Sequence, residues 1–515
     1  MANGKLTMKA LTAKKLRAKY PRFVYEKYDY KISRKNLEIV FYFSIEPGIR
    51  FTPKIIIGNI NKAQIKRVGE RTLKNLIFHL GLSEIPSYWK TTCSPEIIIK
   101  AGSLDNEQKK WWRELLINGL GQFFYENKID FRPADFLKIT NEREDVREVL
   151  SKDLRRRILV PIGNGKDSIV TLELLKNAGK EINCFCVNPR KPFWQIIRIS
   201  NAQKPIIIHR YLDKKLFQLN RAGFLNGHTP FSALLAFYSV FAAIIFDYKY
   251  IAFSNERSAD EGNVKYLGKE INHQWSKSSV FEKSFRAYCQ KHLAGKVEYF
   301  SFLRPLYELQ IAEIFSRFPK YFPVFLSCNN AYFRAKRGIK VPAQNLLGEA
   351  RPLRGRLPTS SAEGDFVGRR PSNSRAGKWC GRCPKCLFTF LILYPFIEES
   401  RLVKIFGENL LDKKELLPLL KALIGETPVK PFECVGTRKE SQTALHLCQQ
   451  KAKRAGKVPF LLKHMRSKTF AFFVRSHKNY KSLVWRKEAE KLLSSWGKQN
   501  NLPLEFGKIL KPPGS

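Results

Sequence analysis

Val160–Leu175 reads VPIGNGKDSIVTLELL. An apolar run, Ile158 to Ile162, meets two glycines and then an amphipathic pattern. This is a strand that passes through a tight turn into a helix. Two familiar templates fail on it. The P-loop, G-x-x-x-x-G-K-[ST], needs a hydroxyl after its lysine, but Asp167 follows Lys166, and Val160 stands where its first glycine belongs. The dinucleotide pattern G-x-G-x-x-G needs a third glycine where Ser168 stands. What remains, Gly163-Asn164-Gly165-Lys166-Asp167-Ser168, still has the chemistry of an anion cradle. Bare glycine backbone lets N–H groups approach a phosphate. The helix N-terminus adds unpaired donors and the positive end of its dipole. Lys166 contributes a charge and Ser168 a hydroxyl. Asp167 is out of place beside an anion unless it orients a cation or the turn itself.

Strand and helix signals alternate around this turn. Strands are expected at 157–162, 182–187, 205–208 and 249–254, and helices at 168–178, 191–200 and 230–246. The alternation predicts an α/β fold with a doubly wound parallel sheet. Ligands of such sheets sit at the carboxyl ends of the strands. The segments 163–168, 188–191 and 254–263 therefore carry the most weight, and Asn188 and Arg190 join the turn as candidate nucleotide ligands. The apolar run Phe231–Phe246 is shorter than the roughly 20 residues of a membrane span and reads as a core helix.

Five regions follow. Residues 1–150 read as an N-terminal α+β accessory domain, with strands at 37–46 and 53–60, helix at 106–126 and no catalytic motif. Residues 151–333 are the nucleotide-binding α/β core. Residues 334–378, with eleven Lys/Arg against three acidic residues, read as a basic mobile insertion, with an RNA-binding arm as the alternative. Residues 379–396 hold a cysteine segment that completes the core. Residues 397–515 are helical with a basic tail.

The 515 residues are 44% apolar, as in globular proteins, and carry a formal charge of +47. That surplus points to polyanionic partners: a phosphorylated substrate, nucleic acid or an anionic surface. The N-terminal stretch has charges but no apolar signal core, so a soluble cytoplasmic protein is expected.

Two polar segments follow the apolar strand ending at Phe253: SNERSADEGN (254–263) and NHQWSKSSVFE (272–282). They read as a substrate pocket, with Asn255, Arg257, Asn263, Asn272 and Ser276 as candidate substrate ligands. Cys380, Cys383 and Cys386 stand at C-x2-C-x2-C spacing, so their thiolates can converge on one ion. A tetrahedral zinc needs a fourth ligand, for which Cys328 is the candidate. An iron–sulfur cluster is the rival reading.

GNGKDS resembles the pyrophosphate-binding turn of the ATP pyrophosphatase (PP-loop) superfamily, S-G-G-x-D-S, with Gly163 and Asn164 as departures. Together GKDSIVTLELL, VNPR (187–190), SNERSADEGNV (254–264), NHQWSKS and WCGRCPKC (379–386) resemble the UDP-N-acetylmuramoyl-L-alanyl-L-glutamate epimerase family. The resemblance covers roughly 155–330 and 379–450, and the 334–378 insertion is not a feature associated with that family. It implies inversion of the terminal glutamate of a peptidoglycan precursor, driven by ATP with Mg2+. The α-proton of a carboxylate is hard to remove, because the carbanion adds charge to an anionic group. Coupling that carboxylate to AMP makes a neutral, electron-poor carbonyl, and pyrophosphate leaves to the turn. Proton transfer on both faces needs groups titrating near neutrality. The candidates are Glu256, His273 and Lys277, the last two sharing a face if their segment is helical, with His228 a further one. The precursor is polyanionic, so Arg190, Lys191, Arg257, Lys265 and Lys277 would suit it, but this local chemistry does not explain +47. The competing reading is a PP-loop enzyme that adenylates a tRNA base, which the net charge favours. A four-cysteine zinc site occurs in the similar 7-cyano-7-deazaguanine synthase.

Overall fold

The computed structural model describes residues 12–33, 35–142, 148–331, 379–465 and 481–511, with backbone alone for 481–485. The 334–378 insertion lies outside the described residues.

One eleven-stranded sheet runs through the molecule in the order β13-β10-β7-β8-β9-β4-β2-β1-β5-β6, with β3 paired to β2, and a separate ribbon pairs β11 (Val264–Tyr266) with β12 (Lys269–Ile271). The core supplies β7 (Ile158–Pro161), β8 (Ile182–Val187), β9 (Ile206–Tyr211), β10 (Tyr250–Phe253) and β13 (Glu298–Ser301), all mutually parallel. Strands β7 and β8, for example, read ILVP and INCFCV. These are near-continuous apolar runs, as strands covered on both faces must be. The helices Lys166–Asn177, Lys191–Ser200, Lys214–Arg221 and Phe231–Phe246 connect or cover them. The predicted α/β core therefore stands, with element ends shifted by at most three residues.

The N-terminal region extends this same sheet. It supplies β1 (Arg22–Ile32), β2 (Asn36–Glu46), β3 (Ile49–Phe51), β4 (Lys54–Gly58), β5 (Glu96–Ile99) and β6 (Lys138–Asn141). β4 pairs antiparallel with β9, Lys54 opposite Tyr211 and Ile57 opposite Ile208. A buried ion pair crosses the same junction. Arg210 of β9 donates to both oxygens of Glu84 at 2.8 and 2.6 Å, and to Ser87 Oγ at 2.9 Å. Glu84 and Ser87 lie on the helix Glu70–Trp89. Glu84 also accepts from Tyr238 Oη on the helix Phe231–Phe246.

Phe231–Phe246 is a 16-residue helix, buried on nearly every side by both halves. Asp247, left-handed at φ 67°, ends it and pairs with Arg67 and Arg155. Among the described residues, no helix is long and apolar enough to cross a membrane. The C-terminal helices Pro384–Leu393 and Arg438–Arg454 pack on the core side. Leu387, Leu391, Ala444 and Cys448 join Val160, Ile169 and Leu309 in one apolar cluster.

Candidate functional site at the sheet's switch point

β7 lies between β8 and β10. The chain winds to β9 on one side of β7 and then returns to β10 on the other, so the loops leaving β7 and β10 diverge. That divergence opens a crevice at the carboxyl ends of the strands. A cavity of about 1080 Å³ occupies it. Gly163, Asn164, Gly165, Asp167, Ser168, Asn188, Arg190, Asn255, Glu256 and Lys277 line it, so ten sequence-predicted residues share one wall.

The glycine turn is open toward this space. A Cβ built on Gly163 meets nothing within 4 Å, so bare backbone is presented there. No side chain caps the helix that begins at Lys166. Ser168 Oγ donates to the carbonyls of Gly163 (3.3 Å) and Gly165 (3.1 Å), bracing the turn from inside. The Leu326 N–H donates to Asn164 O at 2.6 Å and ties the turn to the segment carrying Cys328.

Lys166 does not line the cavity. Its Nζ is buried behind the turn, paired with Asp167 and with Glu308, which follows β13. Burial works against its charge, but Asp167 and Glu308 outweigh that and hold its pKa above the ordinary lysine value. Glu308 is also buried, yet Lys166 and Lys385 pull its carboxyl down to about 2. Glu256 goes the other way: burial first, and then the charge of Glu308, push it up to about 7 against the pull of Lys277. Asp167, Glu256 and Glu308 each bring a carboxylate oxygen within 4.8 Å of the others, a set of hard ligands suited to a divalent cation.

Arg304, 1% exposed, fixes this arrangement. It donates to the carbonyl of Glu256 at 2.6 Å and to that of Lys277, while Glu282 balances its charge at 3.2 Å. Lys277 Nζ lies 3.2 Å from Cys434 Sγ, on a C-terminal loop whose backbone is held by Lys385. Burial opposes the Lys277 charge, but Cys434 and Glu256 keep its pKa above normal.

Other expectations are placed elsewhere. The 272–278 segment is not an α-helix; only Trp275–Lys277 forms a 3-10 turn, so His273 and Lys277 do not share a helical face. His273 is not in the cavity wall among the described residues. Its Nδ1 lies 2.5 Å from Gln122 Oε1, and its ring lies 4.5 Å from that of His228. Burial, then Lys277, Lys430 and Lys385, push it down to about 3, which keeps the imidazole neutral. Asn263 donates to the Pro431 carbonyl (2.8 Å) and accepts from the His273 N–H (2.8 Å). Asn272 binds the Ala259 carbonyl at 2.8 Å. Both serve loop architecture. Arg257 lies over the Tyr307 ring, and Ser276 is buried. Lys191 and Lys265 are exposed and outside the wall.

The sequence reading missed Arg304, Glu308, Lys385 and Cys434. Glu308 had a signal, because it follows an apolar run in VEYFSFLRPLYE and strand ends carry sites. Thr52 and Lys54 of the N-terminal region also line the cavity, although no motif marked them.

Cys328, Cys380, Cys383 and Cys386 converge as predicted, all buried and with their sulfurs within 4.8 Å of one another. The separations are 3.8 Å for Cys328–Cys383, 3.6 Å for Cys380–Cys386 and 3.5 Å for Cys383–Cys386. A tetrahedron with zinc–sulfur bonds of about 2.3 Å has edges of about 3.8 Å. A multi-iron cluster would hold its thiolates further apart.

The chain is thus a mixed α/β protein. Its site joins a glycine turn, a carboxylate cluster and buried lysines at the switch point of the parallel strands. Residues 14–302 match the family model of the MurL N-terminal domain, and 368–476 that of the MurL C-terminal domain. The chain belongs to the MurL family. It is similar to proteins named UDP-N-acetyl-alpha-D-muramoyl-L-alanyl-L-glutamate epimerase. The one from Xanthomonas oryzae pv. oryzae is 35% identical over 71% of this chain and 72% of its own length. Those from Micromonospora sp. (33% identical, 70% and 72%) and Salinispora tropica (32% identical, 70% and 70%) are further relatives.

Proposed function

We propose that this protein is an isomerase that inverts the terminal L-glutamate of UDP-N-acetylmuramoyl-L-alanyl-L-glutamate, using ATP through an acyl-adenylate. The observation that carries the reading is one cavity lined by the open glycine turn together with Asp167, Glu256 and Lys277. The names of the relatives supply the substrate. The PP-loop resemblance of the turn supplies the nucleotide chemistry and the cytoplasmic setting in which ATP is available.

The turn 163–168 would hold the β and γ phosphates of ATP on backbone N–H groups, with Asn188 and Arg190 along the nucleotide. The glutamate α-carboxylate attacks the α-phosphorus, pyrophosphate leaves, and the mixed anhydride acidifies Cα. Glu256 takes the α-proton from one face. Lys277, held cationic, stabilises the developing charge and returns a proton on the other face. Water then releases AMP. Asn255 donates to Ser301 Oγ at 3.0 Å, which holds the loop carrying Glu256. Asp167 and Glu308 would hold Mg2+ together with the phosphates, the arrangement this ion favours. Bound there, it would neutralise phosphate charge.

Incubation with ATP, Mg2+ and the muramoyl dipeptide should yield the D-glutamyl epimer with AMP and pyrophosphate in equal amounts. Formation of ADP, or an unaltered nucleotide, would overturn the mechanism.

The four cysteines would hold one structural zinc, tying 326–328, and through Leu326 the glycine turn, to 380–386. Elemental analysis should find one zinc and no iron per chain. In Cys383→Ser, zinc should fall to a small fraction and the turn should lose its brace, read as weaker ATP binding. Stoichiometric iron with visible charge-transfer absorbance would replace zinc by a cluster.

A further inference from the structure

The cavity, at about 1080 Å³, exceeds the roughly 300–1,000 Å³ typical of a pocket for one small ligand. One wall of the cavity is the helix Lys214–Arg221, which follows β9. Two inter-strand spacings separate β7 from β9, about 10 Å. Four of the eight helix residues line the cavity: Lys214, Phe217, Gln218 and Arg221. They stand at i, i+3, i+4 and i+7, one face of the helix. Leu216 and Leu219 form the buried face behind them. The cavity face is therefore a stripe of cation, aromatic ring, amide and cation, with its ends about 10 Å apart. Lys214, Gln218 and Arg221 are exposed and Phe217 is half-buried.

Asp213, the N-cap of this helix, is already engaged. It caps the helix through the Lys215 N–H at 2.7 Å and accepts from the Thr52 N–H at 2.6 Å. It therefore anchors the stripe to the N-terminal strands while leaving both cations available.

We propose that this face binds the uridine diphosphate end of the substrate, separately from ATP; the assignment rests on the substrate proposed above. A nucleoside diphosphate needs cations for the diphosphate, a ring to stack on the base and mixed donors and acceptors for the base edge. Arg221 and Lys214 supply the first, Phe217 the second and the Gln218 amide the third. The glutamate at the far end of the same molecule then reaches Glu256 and Lys277.

The test uses the full-length protein and calorimetric titration with the full precursor, UDP alone, the N-acetylmuramoyl dipeptide lacking UDP, and ATP. Lys214→Ala/Arg221→Ala should weaken the precursor and UDP at least tenfold, and leave ATP and the UDP-free dipeptide within twofold of wild type. Phe217→Leu should weaken UDP alone by a smaller factor. Thermal unfolding of the variants should match wild type, since both cations are exposed. Equal loss for ATP would give this face to the first nucleotide and overturn the inference. So would unchanged precursor binding in the double variant. If wild type binds neither the precursor nor UDP, the substrate reading falls and this assignment with it.

Discussion

Glu256→Gln should lower the rate of deuterium wash-in at the glutamate Cα by about 10²–10⁴-fold, the range of a lost general base. Pyrophosphate release should stay within a few-fold of wild type. The split arises from where the residue sits. Glu256 lies just beyond β10, with its backbone held by Arg304, and it lines the cavity. The glycine turn belongs to a different strand, and glutamine keeps the size and hydrogen-bonding capacity of the side chain. Adenylation should therefore proceed and the anhydride should hydrolyse without inversion. Measured together, the two rates separate a proton-transfer role from a phosphate-binding one. Parallel collapse of both would place Glu256 with Asp167 on the nucleotide and leave the base unassigned.

Glu84→Ala should destabilise the whole chain by about 3–5 kcal/mol, because it strands a buried guanidinium. The Glu84 and Arg210 side chains are 1% and 4% exposed, so the pair is held away from bulk solvent. The pair joins the N-terminal helix Glu70–Trp89 to β9, and β4 hydrogen-bonds to β9 beside it. Denaturant unfolding followed by fluorescence should shift as one transition in both halves. Glu84→Ala/Arg210→Met should recover much of the loss, since no buried charge then remains. If unfolding of the core strands stays at the wild-type midpoint while the N-terminal region melts early, the two regions are independent units and the shared sheet contributes little coupling.

How much was legible in the chain depends on whether the signal was local. The glycine turn, the strand runs INCFCV and KYIAFS and the helix 231–246 could be read because each rests on spacing within about fifteen residues. The cysteine set was legible too. Three of the thiols stand at fixed short intervals, and only Cys328 had to come from elsewhere. The failures were all relational. His273 and Lys277 are four residues apart, but a tight 3-10 turn separates them, and Gln122 from the N-terminal region captures the histidine. Lys166 looked like a phosphate ligand. Glu308, 142 positions away, draws it behind the turn instead.

The order of residues alone determined the glycine turn, the parallel α/β core and the four-thiol set, because backbone freedom, periodicity and residue spacing are short-range properties. Tertiary structure alone decided that β4 joins β9 and places Thr52 and Lys54 in the cavity wall. It also decided that Asp167, Glu256 and Glu308 crowd within 4.8 Å, and that Glu256 is raised and Glu308 lowered in its affinity for protons. Charge burial and pairing are set by which segments meet, and strand order, not local sequence, settles that.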